Sequence, residues 1–139
     1  MNNIELCIKE LGYAVVPISG TSMLPLLKEG RDRVELVANS FMQIKKGDVV
    51  LYKKNDGTLV LHRIIKVQSE DVFFALGDHQ FKNVEQVYRE QIIAVAQAFF
   101  VKGHYVDEKT LPYRIYKKVW LSSLFLRRCC LAVLSLKKK

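Results

Sequence analysis

The spacing of apolar and polar positions changes twice along this chain. Over Asn3 to Leu11, the apolar residues Ile4, Cys7, Ile8 and Leu11 recur at helical spacing; Asn2 or Asn3 is placed to cap and Gly12 to terminate. A short N-terminal helix is predicted there. From Tyr13 the pattern becomes short runs rich in Val and Ile, at Tyr13 to Ile18, Arg33 to Val37, Asp48 to Lys53, Thr58 to Val67 and Val72 to Leu76. These are the composition and length of strands. Asn55, Asp56 and Gly57 separate two of them, and Asp-Gly supplies the positive backbone angles of a tight hairpin. Gln91 to Val101 has the length and branched content of another strand, with Gly103 turning the chain towards Tyr105.

After Pro112 the apolar residues become nearly continuous, through Trp120, Leu121, Leu124, Phe125 and Leu126 and then Cys129 to Leu134, with Arg127 and Arg128 between. This predicts one or two helices. The fold class that follows is mainly β, with a short N-terminal helix and a C-terminal helical tail. Residues 1–111 form the body and residues 112–139 the tail. At 139 residues, half of them hydrophobic, the chain suffices for one cored domain and not for two of ordinary size.

Charge sharpens this division. The formal net charge is +8, yet residues 1–111 carry fourteen basic and fourteen acidic side chains. The whole excess comes from Arg114, Lys117, Lys118, Arg127, Arg128, Lys137, Lys138 and Lys139, in a tail without acids. A neutral body argues against a nucleic-acid-reading domain, whose basic residues would cover one face of the fold. A basic apolar tail points to an anionic surface. A bilayer span over Val119 to Leu136 is disfavoured, because each central arginine would cost roughly 2.5 to 3.5 kcal/mol. A helix lying on a membrane fits better: on one continuous wheel Lys117, Arg128, Ser135 and Lys139 fall near one line, and Trp120 and the tyrosines suit a headgroup boundary. The alternative is a helix or helical pair packed on the β body with its basic residues solvated.

Cys7, Cys129 and Cys130 lack metal-site spacing, and adjacent cysteines rarely pair, so a reducing compartment is expected and no metal or cofactor is implied. Met1 to Pro17 is broken by Glu5, Lys9 and Glu10 and does not read as a secretory signal.

Candidate chemistry centres on Ser19 to Pro25, SGTSMLP. Gly20 allows a sharp bend, Pro25 fixes the exit, Met23 is suited to anchor the turn in the core, and Ser22 is presented. Serine needs a base within hydrogen-bond reach and N–H donors at the oxyanion. His62 lies in LVLHRII, where Val60, His62 and Ile64 share one strand face and Leu61, Arg63 and Ile65 the other. Taken alone, such a histidine is more often a packing residue than a base, and a Gly-Asp pair such as Gly77-Asp78 more often marks a turn. Asp48 in KKGDVV is expected to do that, bonding nearby N–H groups. His79 and His104 read as surface histidines outside the site.

Together, SGTSMLPLL, KKGDVVLY, VLHRII and LGD resemble the signal peptidase and LexA-type serine peptidase superfamily, over roughly Val15 to Ala98. The resemblance is to its histidine-base, endoplasmic-reticulum-type branch. It implies a signal-peptidase-like β fold, Ser22 as nucleophile, His62 as base in place of the bacterial lysine, and Asp78 as the residue that orients the imidazolium. It further implies an oxyanion site at the Ser22 N–H, with Gly20, Thr21 and Met23 in the surrounding turn. Gly20 stands where bacterial signal peptidases often supply a second serine hydroxyl, and losing one such donor costs roughly 3 to 4 kcal/mol.

Signal peptidases carry a membrane span shortly before the serine, and none is seen in the 21 residues before Ser22. The expected function is therefore a serine endopeptidase acting on peptide or protein precursors, such as leader peptides, associated with the cytoplasmic face of a membrane or, failing that, cytoplasmic. Two alternatives are a non-catalytic, membrane-associated peptide-binding module and a LexA-like self-cleaving regulator. The last lacks a helix-turn-helix, a base lysine and a self-cleavage site before Ser22.

Overall fold

The computed structural model describes residues 3–39 and 43–137. Asn2, Lys138 and Lys139, named above, lie outside them. Helix α1 (Asn3–Leu11) turns Ile8 into the core with Ile4 half-buried one turn before it, while Cys7 and Leu11 face outwards. Gly12, at φ +82°, ends the helix by donating its N–H to the Ile8 carbonyl at 2.9 Å.

Eight strands follow: β1 (Tyr13–Pro17), β2 (Arg33–Ala38), β3 (Val49–Lys53), β4 (Leu59–Val67), β5 (Val72–Leu76), β6 (Glu85–Tyr88), β7 (Ile92–Val101) and β8 (His104–Val106). They form one antiparallel sheet in the order β1-β2-β7-β3-β4-β5-β6, with β8 on β7 beside the β3 side of the ladder. The mainly β class with terminal helices is thus as the apolar pattern predicts. Strand β6 was not anticipated: Glu85, Gln86, Val87 and Tyr88 bury only Val87, too little to give an apolar signal.

Strand β3 is buried on both faces, which is why it reads as the unbroken run VVLY. Val49 and Leu51 join one core cluster with Met23, Leu27, Val34, Leu36 and Phe99. Val50 and Tyr52 join a second with Ile64, Phe73, Val87 and Val95. The β3–β4 hairpin closes over Asn55, Asp56 and Gly57, with Gly57 at φ +90° and the Lys54 N–H bonded to the Thr58 carbonyl at 2.8 Å.

Two helices complete the chain, α2 (Leu111–Ser122) and α3 (Leu124–Lys137), bent by 119° at Ser123. The bend removes the continuous wheel on which Lys117, Arg128, Ser135 and Lys139 align. No single helix among the described residues is long and apolar enough to cross a membrane. Helix α2 packs on the body: Tyr113 and Trp120 are buried, and so is Arg127 at the start of α3. These aromatics therefore do not serve a headgroup boundary, because the body covers them. Helix α3 keeps Phe125, Leu126, Val133 and Leu136 exposed.

Candidate active site

Ser22 sits in the loop between β1 and β2. Gly20, at φ +80°, needs its glycine for the backbone angle and not for space, since an added Cβ would meet nothing within 4 Å. Thr21 is exposed and its carbonyl accepts the Leu24 N–H at 3.2 Å, while Met23 is only 2% exposed and pins the turn in the core. The far end of the loop is tied by Asp32, whose carboxylate accepts the Lys28 N–H at 2.8 Å and the Lys102 N–H at 3.0 Å. Ser22 is thereby held half-buried on a fixed turn, and its own N–H bonds to no described residue.

His62 is buried on β4, on the face that carries Tyr52 and Ile64. It and Ser22 line one cleft of about 370 Å³, walled by Val16, Pro17 and Ile18 at the end of β1 and by Leu59 to Leu61 on β4. Both walls are strand edges. Strand β1 pairs only with β2, and β4 has no second partner until Arg63, where β5 joins it.

Gly77 brings serine and histidine together. A Cβ there would lie 2.5 Å from the Ser22 carbonyl oxygen and 3.1 Å from His62 Nε2, so the position admits only glycine. The next residues close the contact, with the His79 N–H donated to the Ser22 carbonyl at 2.9 Å. The histidine edge facing the serine turn is thus Nε2, the atom a general base would use. Among the described residues no hydrogen bond joins the Ser22 hydroxyl to His62. Burial lowers the imidazole pKa below its ordinary value, opposed by the charges of Glu85 and Asp78. Burial thus favours the neutral ring.

Among the described residues the Asp78 carboxylate does not hydrogen-bond to His62, as the resemblance implied it would. Its carboxylate accepts Arg63 Nε at 2.9 Å and Nη2 at 2.9 Å, and the Tyr116 hydroxyl at 2.8 Å. Strand alternation is the reason, since adjacent residues on β4 point to opposite faces and Asp78 sits on the Arg63 side. The His62 Nδ1 partner is instead the Tyr52 hydroxyl, at 3.2 Å.

The Asp78 side is a buried polar cluster formed largely by the tail. Arg63 also donates to the carbonyl of Gly47 and the hydroxyl of Tyr113, each at 2.9 Å. Burial opposes the Arg63 charge, but the Asp78 carboxylate outweighs it and raises the pKa. Trp120 Nε1 donates to the Asp78 carbonyl at 2.7 Å, and its ring stacks on Tyr116 with centroids 4.4 Å apart. Arg127 donates to the Gly77 carbonyl at 3.2 Å, the Gln80 carbonyl at 3.0 Å and the Trp120 carbonyl at 3.0 Å. The turn from Gly77 to Gln80 therefore touches Ser22 and His62 on one side and both tail helices on the other.

Asp48 takes the turn role expected of it, accepting the Lys45 N–H at 2.9 Å. His79 and His104 are exposed. Sequence reasoning missed Tyr52, Gly77, Glu85 and Arg127. The crowding at Gly77 leaves no signal beyond the glycine itself, and Arg127 reads as an interruption of an apolar run. No protein-family model, no curated protein and no solved structure matches the chain.

Proposed function

We propose that this chain is a serine endopeptidase of the signal-peptidase-like type, with Ser22 as nucleophile and His62 as general base. The observation that carries the proposal is the shared cleft lined by Ser22 and His62, with the Ser22 carbonyl and His62 Nε2 both bordering the space that a Cβ at Gly77 would fill. His62 Nε2 takes the Ser22 hydroxyl proton as Oγ bonds to the scissile carbonyl carbon. The imidazolium then returns that proton to the leaving amine as the C–N bond breaks. Water, giving a proton to the same nitrogen, then bonds to the acyl carbon, and the imidazolium returns that proton to Ser22 Oγ as the ester C–O bond breaks.

The unengaged Ser22 N–H is one oxyanion donor, and a backbone N–H or the Thr21 hydroxyl of the same turn is the second. An extended peptide fits between the free edges of β1 and β4, where backbone N–H and C=O groups are available for strand addition. The largely apolar lining favours apolar side chains next to the scissile bond. The substrate class we assign is a peptide or protein precursor, with leader peptides as the first candidates.

The same proposal sets α3 against an anionic membrane surface on the cytoplasmic side. Its support is the exposed apolar series on α3, with Phe125 74% and Leu136 70% exposed, within a tail that carries eight basic residues and no acidic one. Asp78 contributes its charge to the His62 environment and its hydrogen bonds to the turn that holds the site. The test is cleavage of a panel of leader peptides by the wild-type chain and by Ser22→Ala. Cleavage by the wild type alone supports the assignment, and equal cleavage by both removes it.

A further inference from the structure

We propose that the Tyr52 hydroxyl, backed by the Glu85 carboxylate, positions His62 for catalysis in the place where an aspartate is expected. This rests on the assignment of Ser22 and His62 as nucleophile and base.

Tyr52 and His62 lie diagonally on one face of the β3–β4 hairpin, since Val50 pairs with His62 and Tyr52 with Val60. Their rings meet edge to face at 6.0 Å, and the Tyr52 oxygen is 3.2 Å from Nδ1, the ring nitrogen turned away from the serine. No other described residue bonds to that nitrogen. A phenol has one proton to give, so two arrangements exist. If Tyr52 donates to Nδ1, the ring's own proton sits on Nε2, and the atom facing Ser22 has no lone pair for the serine proton. If Tyr52 donates elsewhere, its oxygen accepts Nδ1–H and leaves Nε2 bare. Only the second arrangement makes His62 a base.

The acceptor assigned to the Tyr52 proton in the second arrangement is Glu85. It borders the catalytic cleft beside His62 and the neighbouring hollow beside Tyr52. Burial raises the Tyr52 pKa most, followed by the charge of Glu85, so the hydroxyl keeps its proton near that carboxylate. Lys54 approaches the same carboxylate to 3.5 Å from the hairpin loop. The charged groups that act on His62 are Glu85 from β6, Asp78 from the turn after β5, and Lys54 from the hairpin, with the two acids favouring the imidazolium. Asp78 shares its charge with Arg63 in direct contact, whereas Glu85 has a lysine at longer range. In the proposed arrangement the Tyr52 phenol, 3.2 Å from Nδ1, gives its proton towards Glu85 across the hollow that both residues line.

The test reads the tautomer of His62 in the resting full-length protein, by nitrogen chemical shifts of ¹⁵N-histidine-labelled samples held above the ordinary histidine pKa. The expected wild-type state has the proton on Nδ1. Tyr52→Phe and Glu85→Ala are each expected to move His62 to the Nε2–H form or a mixture and to lower kcat by about 10- to 100-fold with little change in KM. Glu85→Gln, which keeps an acceptor without the charge, is expected to lower the pKa of the acid limb of kcat/KM. Should Tyr52→Phe fail to fold, Glu85→Ala carries the comparison, because that side chain is partly exposed at the sheet edge. Wild-type protein with the proton on Nε2, or a tautomer unchanged in the folded variants, overturns the proposal. The tautomer is read without turnover, so a correct tautomer in a chain that cleaves no peptide removes the peptidase assignment and leaves the Tyr52–Glu85 assignment of the tautomer intact.

Discussion

Gly77 is the residue where backbone geometry and chemistry meet most closely. A methyl group at this position would overlap the Ser22 carbonyl at 2.5 Å and press on His62 Nε2 at 3.1 Å, and the backbone carbonyl has no flexible end to yield. Gly77→Ala therefore separates the serine turn from the base. Displacements of about 1 Å cost on the order of 100-fold in rate, and that fall in kcat/KM is the expected result. The histidine beside it sets the pH response. Its pKa is lowered from the ordinary 6.5 by burial, so the base stays neutral to lower pH than a free histidine. The acid limb of kcat/KM is expected below 6.5, and a limb above that value contradicts the burial argument. Stability follows the same sign. The unfolded chain takes up this proton first, so the His62 contribution is complete above pH 6.5 and is lost as pH falls from there through the folded-state pKa.

At the scale of elements, the turn from Gly77 to Gln80 depends on helices far from it in sequence. Arg63 and Asp78 are fully buried, and Tyr113, Tyr116, Trp120 and Arg127 from the tail supply their remaining partners and cover. Removing residues 112–139 strips that cover and leaves buried charges short of partners, a loss of about 3 to 5 kcal/mol on the scale of broken buried pairs. The truncated chain is expected to lose its cooperative denaturant transition, or most of its midpoint, together with activity. A truncated chain as stable and active as the full one contradicts this.

The strands that carry the site were legible because Val- and Ile-rich runs end at Gly, Asn and Asp, and Ser22 and His62 were legible as a serine turn and a strand histidine. The role of Asp78 was not. Nothing in LHRI and LGD says whether the aspartate faces position 62 or 63, and the strand's two-residue period gives it to Arg63. The break at Ser123 was hidden because apolar residues run past it on both sides. Glu85 was hidden because its strand buries one side chain.

For the whole molecule, the balance of charge separates a neutral body from a tail that holds the entire excess of +8. Helix α2 spends its aromatic face on the body and exposes Leu111 and Ile115, which leaves the longer exposed apolar series, Phe125, Leu126, Val133, Leu134 and Leu136, on α3. Binding to vesicles containing anionic lipid is expected to weaken with added salt, and about tenfold or more on Phe125→Asp with Leu136→Asp. Equal binding by the double variant contradicts membrane docking through α3. Neither residue lines the cleft of Ser22 and His62, so the double variant is expected to keep any peptidase activity while losing vesicle binding.

Catalysis by Ser22 is the central claim, and covalent capture tests it most directly. Wild-type protein and His62→Ala are treated with a fluorophosphonate, and the modified residue is located by mass spectrometry. The predicted result is a single adduct on Ser22 in the wild type, with labelling at least a hundredfold slower in His62→Ala. No adduct on Ser22, or labelling at the same rate without His62, contradicts the claim.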